Sequence, residues 1–551
     1  MRLFHTTTIT GGAFLFLLFL PFCEQYEIWG GYAEVGICLG ISSLLLLFCL
    51  FEKESTLTIT PTDKVLLGLA VWVLLRNLFT NTYSWGAFFV FLYLLLLYGW
   101  GKLLGERCKT VLLLGVLGAG VIQSALAWLQ LAGVTASHHA AFLCTGSYHN
   151  PAPLGGVVAL ALVASLYLYR KTATLRYLRV LLPVVAVGML PVLVASDSRA
   201  AWLATGVGVS VFLFQRWKIH LAWKIVSVEM VLLLVALPLY RYKQTSADAR
   251  LLIGKVCLEM VKREPWWGEG AQAVKRNYMP TLADYLSEQG TPEEKMQADN
   301  NIYAFNEGLT VLCAYGIVGL VLLGTALFLL VRDEPRGSPS VGVLAAYGTF
   351  ALFAYPFSMW SLLSYFVLLL SSQNSGRKWR PRRTAKMVGA AGVFLILIGY
   401  GIYAGKMQRI NQALNEYCWE RKERVYLNTH FHSFANETPL VAGYAKVLFI
   451  NKQSQEAIPV LKQLVRLRPT LEVYMDLGVC HREVGAYEEA RHCFETGSRM
   501  LPAFITPRYQ LFRLYRCMGD EEAASKEAEN LRTMPVKVEN EKVRRMRGVD
   551  R

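Results

Sequence analysis

The sequence predicts an all-α protein, a polytopic membrane bundle of about 13 spans followed by a smaller helical solenoid. Three observations predict it. Of the 551 residues, 54% are hydrophobic and only 17% charged, and mean hydropathy is +0.34. Such a composition excludes a disordered chain and argues against a wholly water-soluble one. Charge is also uneven. Residues 406–551 are more than twice as charge-dense as residues 1–405, so the chain divides into a membrane domain, 1–405, and a soluble tail, 406–551. Finally, the tail holds an internal repeat of helix-pair type.

Apolar runs predict membrane helices at 8–23, 31–51, 64–80, 84–104, 109–133, 151–169, 177–195, 199–215, 221–240, 302–331, 340–356, 358–372 and 386–404. The first resembles a signal peptide in position. No small-residue cleavage site follows it, so it reads as a retained helix.

The net charge of +16 could suggest a nucleic-acid partner, but its location argues against one. Much of it lies in short clusters between apolar runs: Lys102/Arg107/Lys109, Arg170/Lys171/Arg176/Arg179, Arg216/Lys218/Lys224 and the run from Arg377 to Lys386. That is the positive-inside pattern. With these loops cytoplasmic, the N-terminus is inside. The turn before 151 and a long loop at about 241–301 are outside, and so is the tail. The 11 cysteines are scattered without a CxxC pair, and suggest neither a disulfide framework nor a metal site.

In the tail, residues 471–504 place Tyr474, Leu477, Gly478, Tyr487, Ala490, Phe494 and Pro502 at the positions of the 34-residue tetratricopeptide pattern. Weaker copies occupy 438–470 and about 504–537. Each copy needs neighbours to bury its apolar face.

Three places could carry chemistry. The loop at 241–301 is too long for a mere connector. It sets Arg250, Lys262, Arg263, Lys275 and Arg276 beside Trp266, Trp267, Tyr278 and Tyr285. Cations suit phosphate and ring faces suit sugar C–H surfaces. The plainer alternative is an interfacial loop with aromatics at the headgroup belt. In SDSRAAWLA, residues 196–204, Arg199 stands where an external turn enters a span. There it needs a partner, an aqueous cavity or a snorkelling path. In GSYHNPAPLGG, residues 146–156, Asn150 and two prolines make an irregular turn, and His149 is either a base or an ordinary polar loop residue.

These segments occur in a recognisable order. GSYHNPAPLGG is followed by SDSRAAWLA, then by Arg250 with EPWWGEGAQA, then by AFNEGLTVLCAYGIVGL. Together they resemble the O-antigen ligase and polymerase superfamily, to which protein O-oligosaccharyltransferases are related. The motifs cover about 140–325, and the added last span and tetratricopeptide tail resemble a Bacteroidetes-type variant. The resemblance implies a GT-C-like glycosyltransferase in a bacterial inner membrane, with a periplasmic tail. It implies a glycan donor linked to undecaprenyl diphosphate, attack by an acceptor hydroxyl with inversion, and no cofactor or metal. Arg199 and Arg250 align with the family's arginines and are expected at the diphosphate. Arg276, Asn150, His149, Asn306 and Trp267 are further expected substrate contacts. Where the family closes its loop with His-Asn, this chain has Phe305-Asn306. Glu307, Asp299 and His149 could replace the missing base, with Glu307 favoured by its position. A helix-start carboxylate is the plain alternative for Glu307.

Expected partners are the lipid-linked donor, membrane lipids, a lipid A core acceptor and a possible protein at the tail. A repeat-unit polymerase or a protein O-oligosaccharyltransferase would use the same donor chemistry. A non-catalytic transporter would line its midplane with polar residues, and a tetratricopeptide scaffold would need no external arginines.

Overall fold

The computed structural model describes residues 2–24, 32–52, 55–80, 82–171, 176–215, 240–335, 337–373, 375–417 and 421–548. The chain is all-α apart from one antiparallel pair of short strands, β1 (Leu57–Ile59) and β2 (Arg377–Trp379). The membrane bundle contains α1 (Arg2–Phe19), α2 (Tyr32–Phe51), α3 (Pro61–Phe79), α4 (Trp85–Leu104), α5 (Arg107–Leu131), α6 (Pro151–Lys171), α7 (Arg176–Ala195) and α8 (Arg199–Phe214). Among the described residues, seven helices are long and apolar enough to cross a membrane, and shorter apolar helices pack among them. The protein is a multi-pass membrane protein. The expected span at 221–240 lies, apart from its last residue, outside the described residues, as does the Arg216/Lys218/Lys224 cluster.

Helix ends are fixed by ordinary capping. Thr60 and Asp63 form a capping box at α3, and the Ser84 side chain accepts from Ala87 N–H at α4. Small residues let neighbouring helices approach closely. A side chain at Gly120 would meet Ala161 of α6, and one at Gly115 would meet Leu17 of α1. α6 is buried along almost its whole length, whereas α7 turns Val180, Val184, Val187 and Val194 outward, as lipid-facing residues do.

The segment at 241–301 is itself folded. It forms α9 (Gln244–Arg263), α10 (Ala273–Glu288) and α11 (Pro292–Gln297). The bundle resumes with α12 (Glu307–Asp333), α13 (Pro339–Phe353), α14 (Trp360–Ser371) and α15 (Arg383–Glu416). α15 runs unbroken past residue 405, so the step in composition falls inside one helix.

The bundle has two chemically different ends. At one, Lys102 pairs with Asp63 at 3.1 Å, Lys109 with Glu334 at 2.6 Å and Arg107 with Glu52 at 3.4 Å. The basic run from Arg377 begins at this end. The turns before α6, α8 and α12 lie at the opposite end.

The tail continues as α16 (Arg421–His430), then three antiparallel pairs: α17 (Thr438–Ile450) with α18 (Ser454–Leu467), α19 (Leu471–Glu483) with α20 (Tyr487–Met500), and α21 (Ile505–Met518) with α22 (Glu521–Thr533). A short α23 (Glu541–Arg547) closes it. These pairs coincide with the three repeat segments read from the sequence. Each packs on the next, as its apolar face requires. The tail is tied to the loop helices. Leu471 and Met475 share a buried cluster with Met279, Leu282 and Leu286, and Lys537 pairs with Asp299 at 2.8 Å. Asp299 is thus a docking residue, against the expectation that it could serve as a base.

Candidate active site

The site begins with a close helix approach. At Gly155, in the first turns of α6, an added side chain would lie 2.8 Å from Ser198 Cβ and 2.9 Å from Ser196 Oγ. The GSYHNPAPLGG and SDSRAAWLA segments therefore touch. Asn150 fixes the start of α6 by accepting from Ala152 N–H at 3.0 Å. The α7–α8 turn passes through Asp197 with φ of 52°, an uncommon conformation for a residue with a side chain.

Arg199, the first residue of α8, reaches across to α9. Its guanidinium donates to the Lys243 carbonyl at 3.2 Å and to Ser246 Oγ at 3.3 Å. Lys243 returns toward the turn and forms an ion pair with Asp197. Further along α9, Arg250 donates to the Phe353 carbonyl at 3.0 Å, and its guanidinium lies 5.1 Å from the centre of the Phe305 ring. Burial pushes the Arg250 pKa down from its ordinary value, and the nearby Arg199 charge acts in the same direction.

These groups line one cavity of about 190 Å³, with Asn150, Asp197, Arg199, Lys243, Arg250, Phe305 and Tyr355 in its wall. Its charged lining is three cations (Arg199, Lys243, Arg250) and one carboxylate (Asp197). A dianion would be at home there.

Phe305, at the place of the family histidine, has φ of 51°. Its ring stands edge-on to Tyr355, with centroids 5.3 Å apart, so it contributes a ring face and no titrating group. Asn306 caps α12, its side chain accepting from Leu309 N–H at 3.0 Å. Glu307 is buried and accepts from Phe357 N–H at 2.7 Å. It braces the 354–358 turn and is not among the residues lining the arginine cavity.

The rest of the EPWWGEG segment is architectural. Glu269 and Gly270 N–H donate to the Cys313 and Ala314 carbonyls, each at 2.8 Å. Gly316 kinks α12 with φ of 65°, and a side chain there would collide with the Trp266 carbonyl oxygen. Trp267 packs on Trp72 with ring centroids 5.4 Å apart. Arg276 donates to the Glu269 carbonyl at 2.7 Å. His149 is exposed and stands edge-on to His138. None of Trp267, Arg276 and His149 lines the arginine cavity.

The structure thus brings Arg199, Arg250 and Asn150 together, and adds Asp197, Lys243, Ser246 and Tyr355. Lys243, Ser246 and Arg250 follow an i, i+3, i+7 spacing. That spacing, legible in the sequence, places them on one helical face.

Residues 184–324 match the family model described as O-Antigen ligase. This segment carries an O-antigen ligase family domain. The match includes Arg199, Arg250 and Phe305 and stops short of the tail and of Asn150. No curated protein and no solved structure matches the chain. The family assignment supports a membrane glycosyltransferase of the ligase or polymerase type, acting on glycan and lipid-linked substrates.

Proposed function

We propose that the protein transfers a glycan from undecaprenyl diphosphate to an acceptor hydroxyl at the periplasmic face of a bacterial inner membrane. The observation that carries this is the cavity with three cations against one carboxylate, set between α6, α8, α9 and the start of α12. We take a lipid A core glycan as the acceptor, the one that the resemblance to the O-antigen ligase superfamily implies.

In this reading the donor diphosphate lies against Arg199, Arg250 and Lys243. The acceptor oxygen attacks the anomeric carbon from the side opposite the diphosphate. A C–O bond forms, the anomeric C–O bond to the diphosphate breaks, and the configuration inverts. The departing diphosphate gathers negative charge, which pre-oriented guanidinium groups stabilise without reorganising. No proton need be supplied to so weakly basic a leaving group. The proton to be removed is on the acceptor hydroxyl.

Asp197 is placed for that task. One carboxylate oxygen pairs with Lys243, and the other is buried with no hydrogen-bond partner among the described residues. In this reading Asp197 is the general base, in place of Glu307, which its sequence position favours. One oxygen of Glu307 accepts from Phe357 N–H, and the residue does not line the arginine cavity.

The test is transfer in vitro from an undecaprenyl-diphosphate-linked glycan by the purified full chain, scoring both the glycosylated acceptor and the released undecaprenyl diphosphate. Release coupled to transfer supports the reading. Absence of both with every acceptor offered, including lipid A core, overturns it.

A further inference from the structure

A second and larger cavity, about 710 Å³, lies between the loop helices, the bundle and the tail. That volume is within the range of small-molecule sites, ~300–1,000 Å³. Lys275 of α10 and Arg468, just after α18, are its two cations. Neither side chain has an ion pair or a hydrogen bond among the described residues. Lys275 is half-buried, with its ammonium 5.9 Å from the Tyr303 ring centre. Arg468 is near enough that its charge, added to burial, pushes the Lys275 pKa down. The one carboxylate in the wall, Glu437, is buried and accepts from Gly86 N–H at 3.2 Å. The tail thus supplies one of the two like charges that line the cavity, an arrangement that an anion would relieve.

The remaining wall suits a sugar. Tyr303 and Tyr400 bring aromatic surface to the wall, and Asn436 and Ser84 bring hydrogen-bonding groups. The cavity also adjoins the arginine site. Tyr303, in its wall, stacks on Tyr355 of the smaller cavity with centroids 4.2 Å apart and planes 5° from parallel. One tyrosine pair therefore separates the two spaces.

We infer that the larger cavity is the acceptor site, and that it holds an anionic sugar of the acceptor glycan between Lys275 and the tail residue Arg468. This rests on the transfer reading above. It makes the tail part of substrate recognition. The anion is a phosphate ester or a carboxylate, which share the chemistry the two cations would meet.

The test titrates the full chain in detergent with glucose 6-phosphate, glucuronate, glucose and inorganic phosphate, on the native protein and on Lys275→Ala/Arg468→Ala, with thermal unfolding to verify folding. Lys275→Arg, which keeps the charge, serves as a second variant. One or both anionic sugars should bind at least roughly 10-fold tighter than glucose and than inorganic phosphate, as charged hydrogen bonds would provide. That preference should vanish in the double variant and persist in Lys275→Arg. Which anionic sugar binds identifies the ester or the carboxylate. Glucose binding as well as both anionic sugars overturns the inference, and so does inorganic phosphate binding as well as either. Undiminished binding by a folded double variant overturns it too. Undecaprenyl diphosphate is titrated separately on Arg199→Ala. Undiminished binding there sinks the donor reading alone and leaves the acceptor-cavity result to be judged by itself.

Discussion

Arg199 and Arg250 stand 51 positions apart, yet both guanidinium groups enter one cavity because α8 starts where α9 passes. In the proposed reaction each meets the donor diphosphate by charged hydrogen bonds worth about 1.5–3 kcal/mol, so Arg199→Ala or Arg250→Ala should lower turnover roughly 10- to 100-fold. Lysine keeps the charge and loses the fork, so Arg→Lys should recover only part. Arg170, at the basic end of α6, is the control and should tolerate alanine. Transfer assays at matched expression decide this, and near-normal turnover in both alanine variants would remove the arginines from the mechanism. A second comparison separates the carboxylates. Asp197→Asn should depress turnover more than Glu307→Gln, and the reverse order would restore Glu307 as the base. The arginines were legible because charge near the end of an apolar run is conspicuous. Asp197 lies in the same SDSR segment as Arg199, but nothing in a sequence shows which carboxylate points into a cavity. Arg276 and Trp267 had the right chemistry for a sugar phosphate. The fold uses them to hold a turn.

At the scale of elements, the EPWWGEG turn docks backbone to backbone on the α12 kink. Gly316, with φ of 65° and ψ of −168°, sits in a positive-φ extended region that essentially only glycine occupies, so Gly316→Ala should cost about 1–3 kcal/mol, before the contact with the Trp266 carbonyl is counted. Gly324→Ala, in the same helix with open space around it, is the matched control. Thermal unfolding in detergent should show a lower midpoint for the first alone, and equal midpoints would refute the docking account. The tail offers a pH-dependent counterpart. Burial, with Glu472 nearby, pushes the Asp476 pKa up to about 6 from a model-compound value of 3.8. The folded state therefore binds this proton more tightly than the unfolded state. Its contribution favours folding most below pH 3.8 and is lost as pH rises through 6. Asp476→Asn should raise the melting midpoint of the full chain at pH 7.5 and leave it nearly unchanged at pH 4. No pH-dependent difference would mean that the carboxyl is solvated. Helix positions were readable from apolar runs and repeat spacing. The helical fold of 241–301 was not, because its apolar residues serve a shared core with the tail, and no local periodicity announces a partner so distant in the chain.

For the molecule as a whole, function depends on which side of the membrane the tail and the arginine cavity share. The structure puts both at the end opposite the Lys102–Asp63 and Lys109–Glu334 pairs. α15 enters at the basic end and delivers the tail beside the turns that carry Arg199 and Phe305. Positive loops are retained on the cytoplasmic side, so the cavity and the tail are expected outside together. A one-span error in the chain's course would move the tail away from the site it packs against. The protein carries a convenient reporter. Cys517 on α21 is exposed, whereas the other described cysteines are buried. Cys418, outside the described residues, is changed to serine so that it cannot contribute. In spheroplasts a membrane-impermeant maleimide should label Cys517 without lysis, and Cys517→Ser should abolish the signal. Labelling that appears only after lysis would put the tail in the cytoplasm. The arginine cavity would then face inward with it, since Asn300 and Asp299 of the loop bond directly to Glu472 and Lys537 of the tail. A lipid-linked donor presented on the outer face would be out of reach. The same experiment therefore tests topology and sets the side of the membrane on which transfer takes place.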